Sequence, residues 1–287
     1  MLQAAIRQVT IASVALACAG AAPKARAQEA SAWNAEPHAA ARLIAGAALK
    51  SAEAAWLRAG IEIRLDNGWK TYWRYPGDSG MPPTLDFGGS ENVKSVTVLW
   101  PAPERFADGA GGQSIGYRGD VVFPLRIAPK DPAEPSLLRV KLVYAICGNL
   151  CVPAEAKLYL KLSGKGGAEE AALVAAEARV PRRIALGDAA PGTGLAIRSV
   201  HRERGGGHEH IMVEVAAPAS ALVDLFVEGP TPNWALPLPK PSGGAPGIRR
   251  FTLDLDGVPP GTPADGATLT WTAVSADDAI EVAAHLD

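Results

Sequence analysis

The most constraining feature of this sequence is a ten-residue stretch, Tyr144-Ala-Ile-Cys147-Gly-Asn-Leu-Cys151-Val-Pro153. It holds two of the three cysteines in the chain. On its left, residues 137–144 alternate apolar and polar side chains; on its right, residues 156–162 do the same, so each reads as a half-buried strand. Between them stand Gly148 and Asn149, the two residue types that most easily take left-handed backbone angles, which predicts a tight reversal. The reversal has a chemical consequence. Residues four apart on one extended strand lie roughly 13 Å from each other, whereas a disulfide needs Cα atoms within about 7 Å. Folding back at Gly148-Asn149 therefore brings Cys147 and Cys151 into bonding reach. A bond across so short a loop constrains little unfolded chain. It makes a poor structural clamp and a candidate exchangeable pair.

Composition narrows the class without naming a function. The chain has 287 residues, a formal net charge of -2 and 48% hydrophobic residues, which fits one or two globular domains. That balance supplies no basic stripe for nucleic acid and no acidic tail. The 30 glycines and 24 prolines favour many short strands over long helices. Residues 1–27 read as a secretory signal: Arg7 starts it, Val9 to Ala22 is an apolar run of small residues, and Ala25-Arg26-Ala27 fits a small-x-small cleavage site. Cys18 lies inside this segment and is expected to leave with it. The mature chain is then exported, has no further stretch long enough to span a membrane, and keeps one cysteine pair in an oxidising compartment.

The pattern along the chain predicts an all-β protein of two antiparallel sandwiches. Residues 28–52 are weakly patterned and read as a mobile lead-in to the first strand. Strands are expected over Trp56 to Leu65, Trp69 to Arg74, Val93 to Trp100 and Val121 to Ile127, followed by the cysteine hairpin. Tyr75 to Pro83 and Ala102 to Gly116 read as loops because they are rich in glycine or proline. The first domain, residues 28–163, thus has about eight short strands. Residues 164–192 form a linker with a short Ala/Glu helix between Ala168 and Arg179, stopped by Pro181. Residues 193–287 then show seven alternating runs, namely 195–200, 211–216, 222–228, 234–238, 248–255, 267–274 and 280–285. Their spacing predicts an immunoglobulin-like sandwich. Without cysteine or a catalytic cluster, that half is expected to dock or space.

The first domain carries a family resemblance on several motifs in order: Gly68-Trp-Lys-Thr-Tyr-Trp-Arg74, Trp100-Pro-x-Pro103 with Phe106, Ser114-Ile-Gly-Tyr117, Pro124-Leu125, and Tyr144-x-x-Cys147-x3-Cys151-x-Pro153-x-Glu155. Spanning roughly residues 55–163, it resembles the N-terminal periplasmic domain of the thiol:disulfide interchange protein DsbD, including the copper-sensitivity-suppressor relatives. The resemblance implies an immunoglobulin-like fold whose cysteine pair shuttles electrons, as in a protein-disulfide reductase, without a cofactor. A membrane-embedded thiol carrier reduces such a domain, and periplasmic thioredoxin-like proteins accept the electrons. It also implies that the second cysteine, Cys151, forms the mixed disulfide and that Cys147 resolves it. Two departures stand out: the loop between the cysteines is three residues, and the membrane and thioredoxin-like domains of that family are not in this sequence. The carrier is therefore expected to be a separate polypeptide.

Other residues have competing readings. Tyr72, Trp73, Phe106 and Tyr117 can shield the cysteines or contact a partner, or simply fill the sandwich core. The glycine-rich run from Asp108 to Gln113 lies where the family carries a cap over its active site, but has lost bulk and equally suits a connector. His208-Glu209-His210 is a weak metal-binding pattern on what reads as an exposed hairpin tip, and Met81 and Met212 are too isolated to suggest copper. No resident metal is predicted. Two alternatives stay open beside thiol-disulfide exchange: a non-catalytic binding module with a structural disulfide, and a Cu(I)-handling protein using the two thiolates.

Overall fold

The computed structural model describes residues 29–50, 55–108, 111–205, 208–276 and 278–287. The signal-peptide reading of residues 1–27, Cys18 included, lies outside the described residues. The expectation of an all-β, two-sandwich molecule with a helical connection is borne out. The first sandwich contains β1 (Asn34–Glu36), β2 (Ala39–Lys50), β3 (Ala55–Leu65), β4 (Lys70–Gly77), β5 (Thr84–Asp86), β6 (Val93–Val98), β7 (Glu104–Ala107), β8 (Gln113–Arg118), β9 (Val121–Pro129), β10 (Ser136–Cys147) and β11 (Cys151–Leu162). Its two sheets run in the orders β1-β2-β3-β9-β6 and β11-β10-β4-β8-β7, with β5 pairing on β10.

Helix α1 (Glu170–Ala178) follows, then β12 (Arg182–Arg183), β13 (Ala196–Gly205), β14 (His208–Ala216), β15 (Val223–Glu228), β16 (Lys240–Gly243), β17 (Ile248–Asp254), β18 (Thr268–Ser275) and β19 (Ala279–His285). They form the sheets β12-β19-β18-β15 and β13-β14-β17-β16. All pairings are antiparallel except the two-residue contact of β12 with β19.

Three local expectations are corrected. The lead-in contains β2, a 12-residue strand inside the first sheet. Its alternation is carried by alanines, with Ala39, Ala41, Leu43 and Ala45 buried, and small residues on both faces hide the period that larger side chains would display. The stretch from Ala102 to Gly116 contains the hairpin β7–β8, in which Phe106 pairs with Ser114 and Glu104 with Gly116. Here glycine marks a close approach, since a Cβ on Gly116 would sit 2.0 Å from the Thr71 carbonyl oxygen. Conversely, Trp234 to Leu238 forms no strand. Trp234, Leu236 and Leu238 are buried, but Pro237 and Pro239 lack the N–H a ladder needs.

Helix α1 packs on the first sandwich. Leu173 is fully buried and approaches Gly46 and Gly60, where a Cβ would lie 2.4 Å and 3.2 Å from its methyl carbons. Buried Arg58 pairs with Glu170 and with Glu177 (Nη2 to Oε2, 2.5 Å). Phe226 and Leu238 from the second half join the first sandwich's core, built around Trp73, Ile115 and Tyr144. The rest of the second half has its own core around Trp271, Phe251 and Leu225.

Candidate functional site

β10 and β11 stay in register from Ser136 opposite Leu162 to Cys147 opposite Cys151. The two cysteines form a disulfide with Cα atoms 4.1 Å apart. The reversal falls at Gly148 to Leu150, where the Gly148 N–H donates to the Leu150 carbonyl at 3.1 Å. Its cause differs from the one expected, because neither Gly148 nor Asn149 takes a positive φ. Gly148 instead makes room: a Cβ there would lie 3.1 Å from the Trp69 ring.

Pairing continues sideways from the disulfide. Cys147 stands opposite Lys70 on β4, and Lys70 opposite Arg118 on β8. Directly opposed residues share a face of the sheet, as do residues two apart on one strand. Cys151, Cys147, Lys70 and Arg118 therefore form one row on the outer face, with Tyr72, Ala145 and Phe106 in the neighbouring rows. Tyr72, Phe106, Ala145 and Cys147 make a small buried cluster there, separate from the main core. Within it Cys147 is only 4% exposed, whereas Cys151 is exposed.

Tyr72 touches both sulfurs. A disulfide carries no proton, so the phenol is the donor, at 2.9 Å to Cys147 Sγ and 3.3 Å to Cys151 Sγ. Burial pushes the phenol pKa up, a hydrogen bond with Ser114 opposes this, and Asp108 adds to the rise, so the donor proton is retained at neutral pH. Gly80 lets the following loop close over the ring, since a Cβ there would fall 2.3 Å from a ring carbon. Phe106 lies beside Tyr72 with centroids 6.5 Å apart. Lys70 Nζ is 4.5 Å and the Arg118 guanidinium 5.2 Å from the Phe106 ring centre. Burial lowers the Lys70 pKa, Arg118 lowers it further, and Asp108 works against both.

Of the sequence candidates, Cys147, Cys151, Tyr72 and Phe106 come together. Trp73 and Tyr117 lie on the other face, in the core. Trp73 packs 5.9 Å from Phe226; Tyr117 donates to the Pro101 carbonyl at 2.9 Å and meets Phe123 edge-on. In the run from Asp108 to Gln113, which lies between β7 and β8 in sequence, Asp108 accepts hydrogen bonds from Ser79 Oγ at 2.9 Å and the Gly112 N–H at 2.9 Å. Bulk over the disulfide comes from Phe106, on the strand before it.

Strand register brings two cations beside the cysteines, Lys70 and Arg118. Lys70 was within reach of inference, two residues before Tyr72, but Arg118 needed the β4–β8 pairing. A groove beside the hairpin tip is lined by His38, stacked on Trp69 at 4.1 Å, and by exposed Leu150 and Val152. Among the described residues no group of three His, Cys, Asp or Glu side chains can hold a metal ion. His210 lies 3.5 Å from Glu203 on the neighbouring strand. No helix among the described residues is long and apolar enough to cross a membrane.

Residues 41–163 match the family described as thiol:disulfide interchange protein DsbD, N-terminal. Among solved structures, the N-terminal periplasmic domain of ScsB from Proteus mirabilis is similar in fold, with a TM-score of 0.68 at 22% identity, over 90% of this chain and 98% of that one. No curated protein sequence matches this chain. On the family match, the ordered motifs and a disulfide at the tip of the longest hairpin, residues 41–163 form a domain of the DsbD N-terminal family.

Proposed function

We propose that this protein is a periplasmic thiol-disulfide exchange module that relays electrons from a membrane-embedded thiol carrier to thioredoxin-like partners through Cys147 and Cys151. The observation that carries the reading is the unequal exposure of the two sulfurs' residues under one phenol: Cys151 is open to solvent, while Cys147 is buried beside Tyr72. Exchange needs a sulfur that a partner thiolate can approach and a neighbour that resolves the mixed disulfide. In reduction, a thiolate of the carrier bonds to Cys151 Sγ, the Cys147–Cys151 bond breaks, and Cys147 leaves as a thiolate. The Tyr72 hydroxyl stabilises that charge as it forms. The carrier's second thiolate then attacks the carrier sulfur of the mixed disulfide and releases Cys151. In the forward transfer, Cys151 attacks a partner disulfide and one partner sulfur leaves. Cys147 then attacks Cys151, so the partner ends with two thiols and this protein with its disulfide, two electrons having moved.

The periplasmic assignment rests on the signal-like residues 1–27 and on the family. Exposed Leu150 and Val152, next to Cys151, suit contact with a partner. Trapping tests the reading. With a reduction-competent thioredoxin-like protein, Cys147→Ser should give a long-lived adduct on a non-reducing gel and Cys151→Ser none. An adduct with Cys151→Ser would reverse the roles, and no adduct with either variant would refute exchange.

A further inference from the structure

Residues of the second sandwich grip both strands that carry the cover of the disulfide: β4 where its pairing lapses, and the edge strand β7 beside its pairing with β8. β4 pairs with β10 only at Lys70 and Thr71, and its register with β8 lapses between Tyr72 and Gly77. Tyr72 is thus the last residue before the lapse. Two residues on, Arg74 donates to Glu228 on β15 through two bonds of 2.8 Å and 2.6 Å, and to Glu281 on β19 at 2.5 Å. The Tyr75 hydroxyl donates to the Leu236 carbonyl. The second covering residue, Phe106, sits on β7, a 4-residue strand at the sheet edge that pairs with β8 alone. Next to it, Arg105 grips Asp224 through two bonds of 3.0 Å and 2.7 Å, and donates to the Leu225 carbonyl at 3.0 Å. Phe226, between these acceptors, fills the core against Trp73.

Side-chain exposure is 23% for Arg74, 17% for Arg105 and 9% for Glu281, so these groups are largely shielded from water, while Asp224, at 34%, is partly open. Forked Arg–carboxylate bonds fix direction as well as distance. A four-residue edge strand with one neighbour opens readily without a second support. We infer that the second sandwich is the frame that keeps the Tyr72–Phe106 cover closed on Cys147, and that Arg74 and Arg105 are positioning residues setting how readily the disulfide is attacked. This deepens the exchange reading and gives residues 193–287 a part in it.

The test uses the full chain and a small dithiol, dithiothreitol, as the probe of accessibility. Phe106→Ala, which removes cover directly, should speed disulfide reduction. Asp224→Asn, which alters only the partner of Arg105, should speed it roughly three- to tenfold, as expected for a biased local opening. The two effects should not multiply: Phe106→Ala with Asp224→Asn should react as Phe106→Ala alone. On a Tyr72→Phe background, where the hydroxyl's own contribution is already gone, Glu228→Gln should act likewise, and it should lose its effect on a Tyr72→Ala background. Arg105→Lys, which keeps charge but not the fork, should fall between wild type and Asp224→Asn, and carries the test if Asp224→Asn does not fold cooperatively. A wild-type rate in Asp224→Asn, or an equal gain with and without Phe106, would overturn the inference, the second because general loosening would act without the cover. If dithiothreitol behaves as expected but neither cysteine variant traps a thioredoxin-like protein, the cover stands and the exchange reading falls.

Discussion

Among the described residues, β10–β11 and β13–β14 are both long antiparallel pairs, and only the first carries the cysteines. β10–β11 ends in Cys147 and Cys151; β13–β14 ends between Gly205 and His208. Near its tip the second hairpin presents His201, Glu203 and His210, joined by exposed pairs such as His201 Nε2 to Glu203 Oε1 at 3.0 Å. Such pairs contribute little to stability. The first hairpin differs less in its own geometry than in its neighbours. β4, β7 and β8 add a buried aromatic pair and two cations to the outer face beside the sulfurs, whereas the second hairpin lies in a four-stranded sheet whose inner face alone feeds a core. A hairpin becomes a site when the outer face of its sheet is also packed.

That contrast can be broken at its foundation. Gly116→Ala would drive a Cβ into the Thr71 carbonyl and part β4 from β8. We expect a loss of roughly 3 kcal/mol or more in denaturant unfolding, together with a disulfide that no longer sees Tyr72. A stability loss under about 1 kcal/mol would show that the two strands do not depend on this contact.

Tyr72→Phe sharpens the comparison by removing only the hydroxyl. Packing is kept, so stability should change by about 1 kcal/mol or less. Reduction of the disulfide by dithiothreitol should slow about 3- to 10-fold, because the Cys147 thiolate leaves without its charge-assisted hydrogen bond. An unchanged rate would leave Tyr72 as cover alone.

The helix that braces the first sandwich gives a pH test. The Glu170 pKa is held below the ordinary 4.5; burial acts against this, but the Ala47 N–H and Arg58 outweigh it. A carboxylate depressed in the folded state contributes stability above its unfolded pKa, and that contribution fades as pH falls through the folded value. Glu170→Gln should therefore cost about 1 kcal/mol at pH 7 and nothing well below pH 4. A constant cost across that range would assign the effect to shape. The smallest effect is expected in the second hairpin: His210→Ala should stay within about 0.5 kcal/mol of wild type and leave disulfide reduction unchanged.

By itself, the sequence determined the class of fold, the position of the reversal and the pairing of Cys147 with Cys151, because each depends on a period-two pattern or a few adjacent residues. The ordered motifs likewise marked the DsbD-like domain. The tertiary structure decided what residues far apart do to each other. Ala39–Lys50 is a strand because its alanines find a sheet to lie in, and β8 lies close against β4 because Gly116 carries no side chain there. Tyr72 and Tyr117 look alike as candidates in the sequence. Register places one on the outer face at the sulfurs and the other in the core, since Tyr117 pairs with Thr71 and Tyr72 with Gly116. Lys70, Arg118 and the carboxylates that grip Arg74 and Arg105 reach their places across 48 to 207 positions of sequence. No local pattern encodes those meetings. They follow from which strands pair, in what register, and which face each side chain is then given.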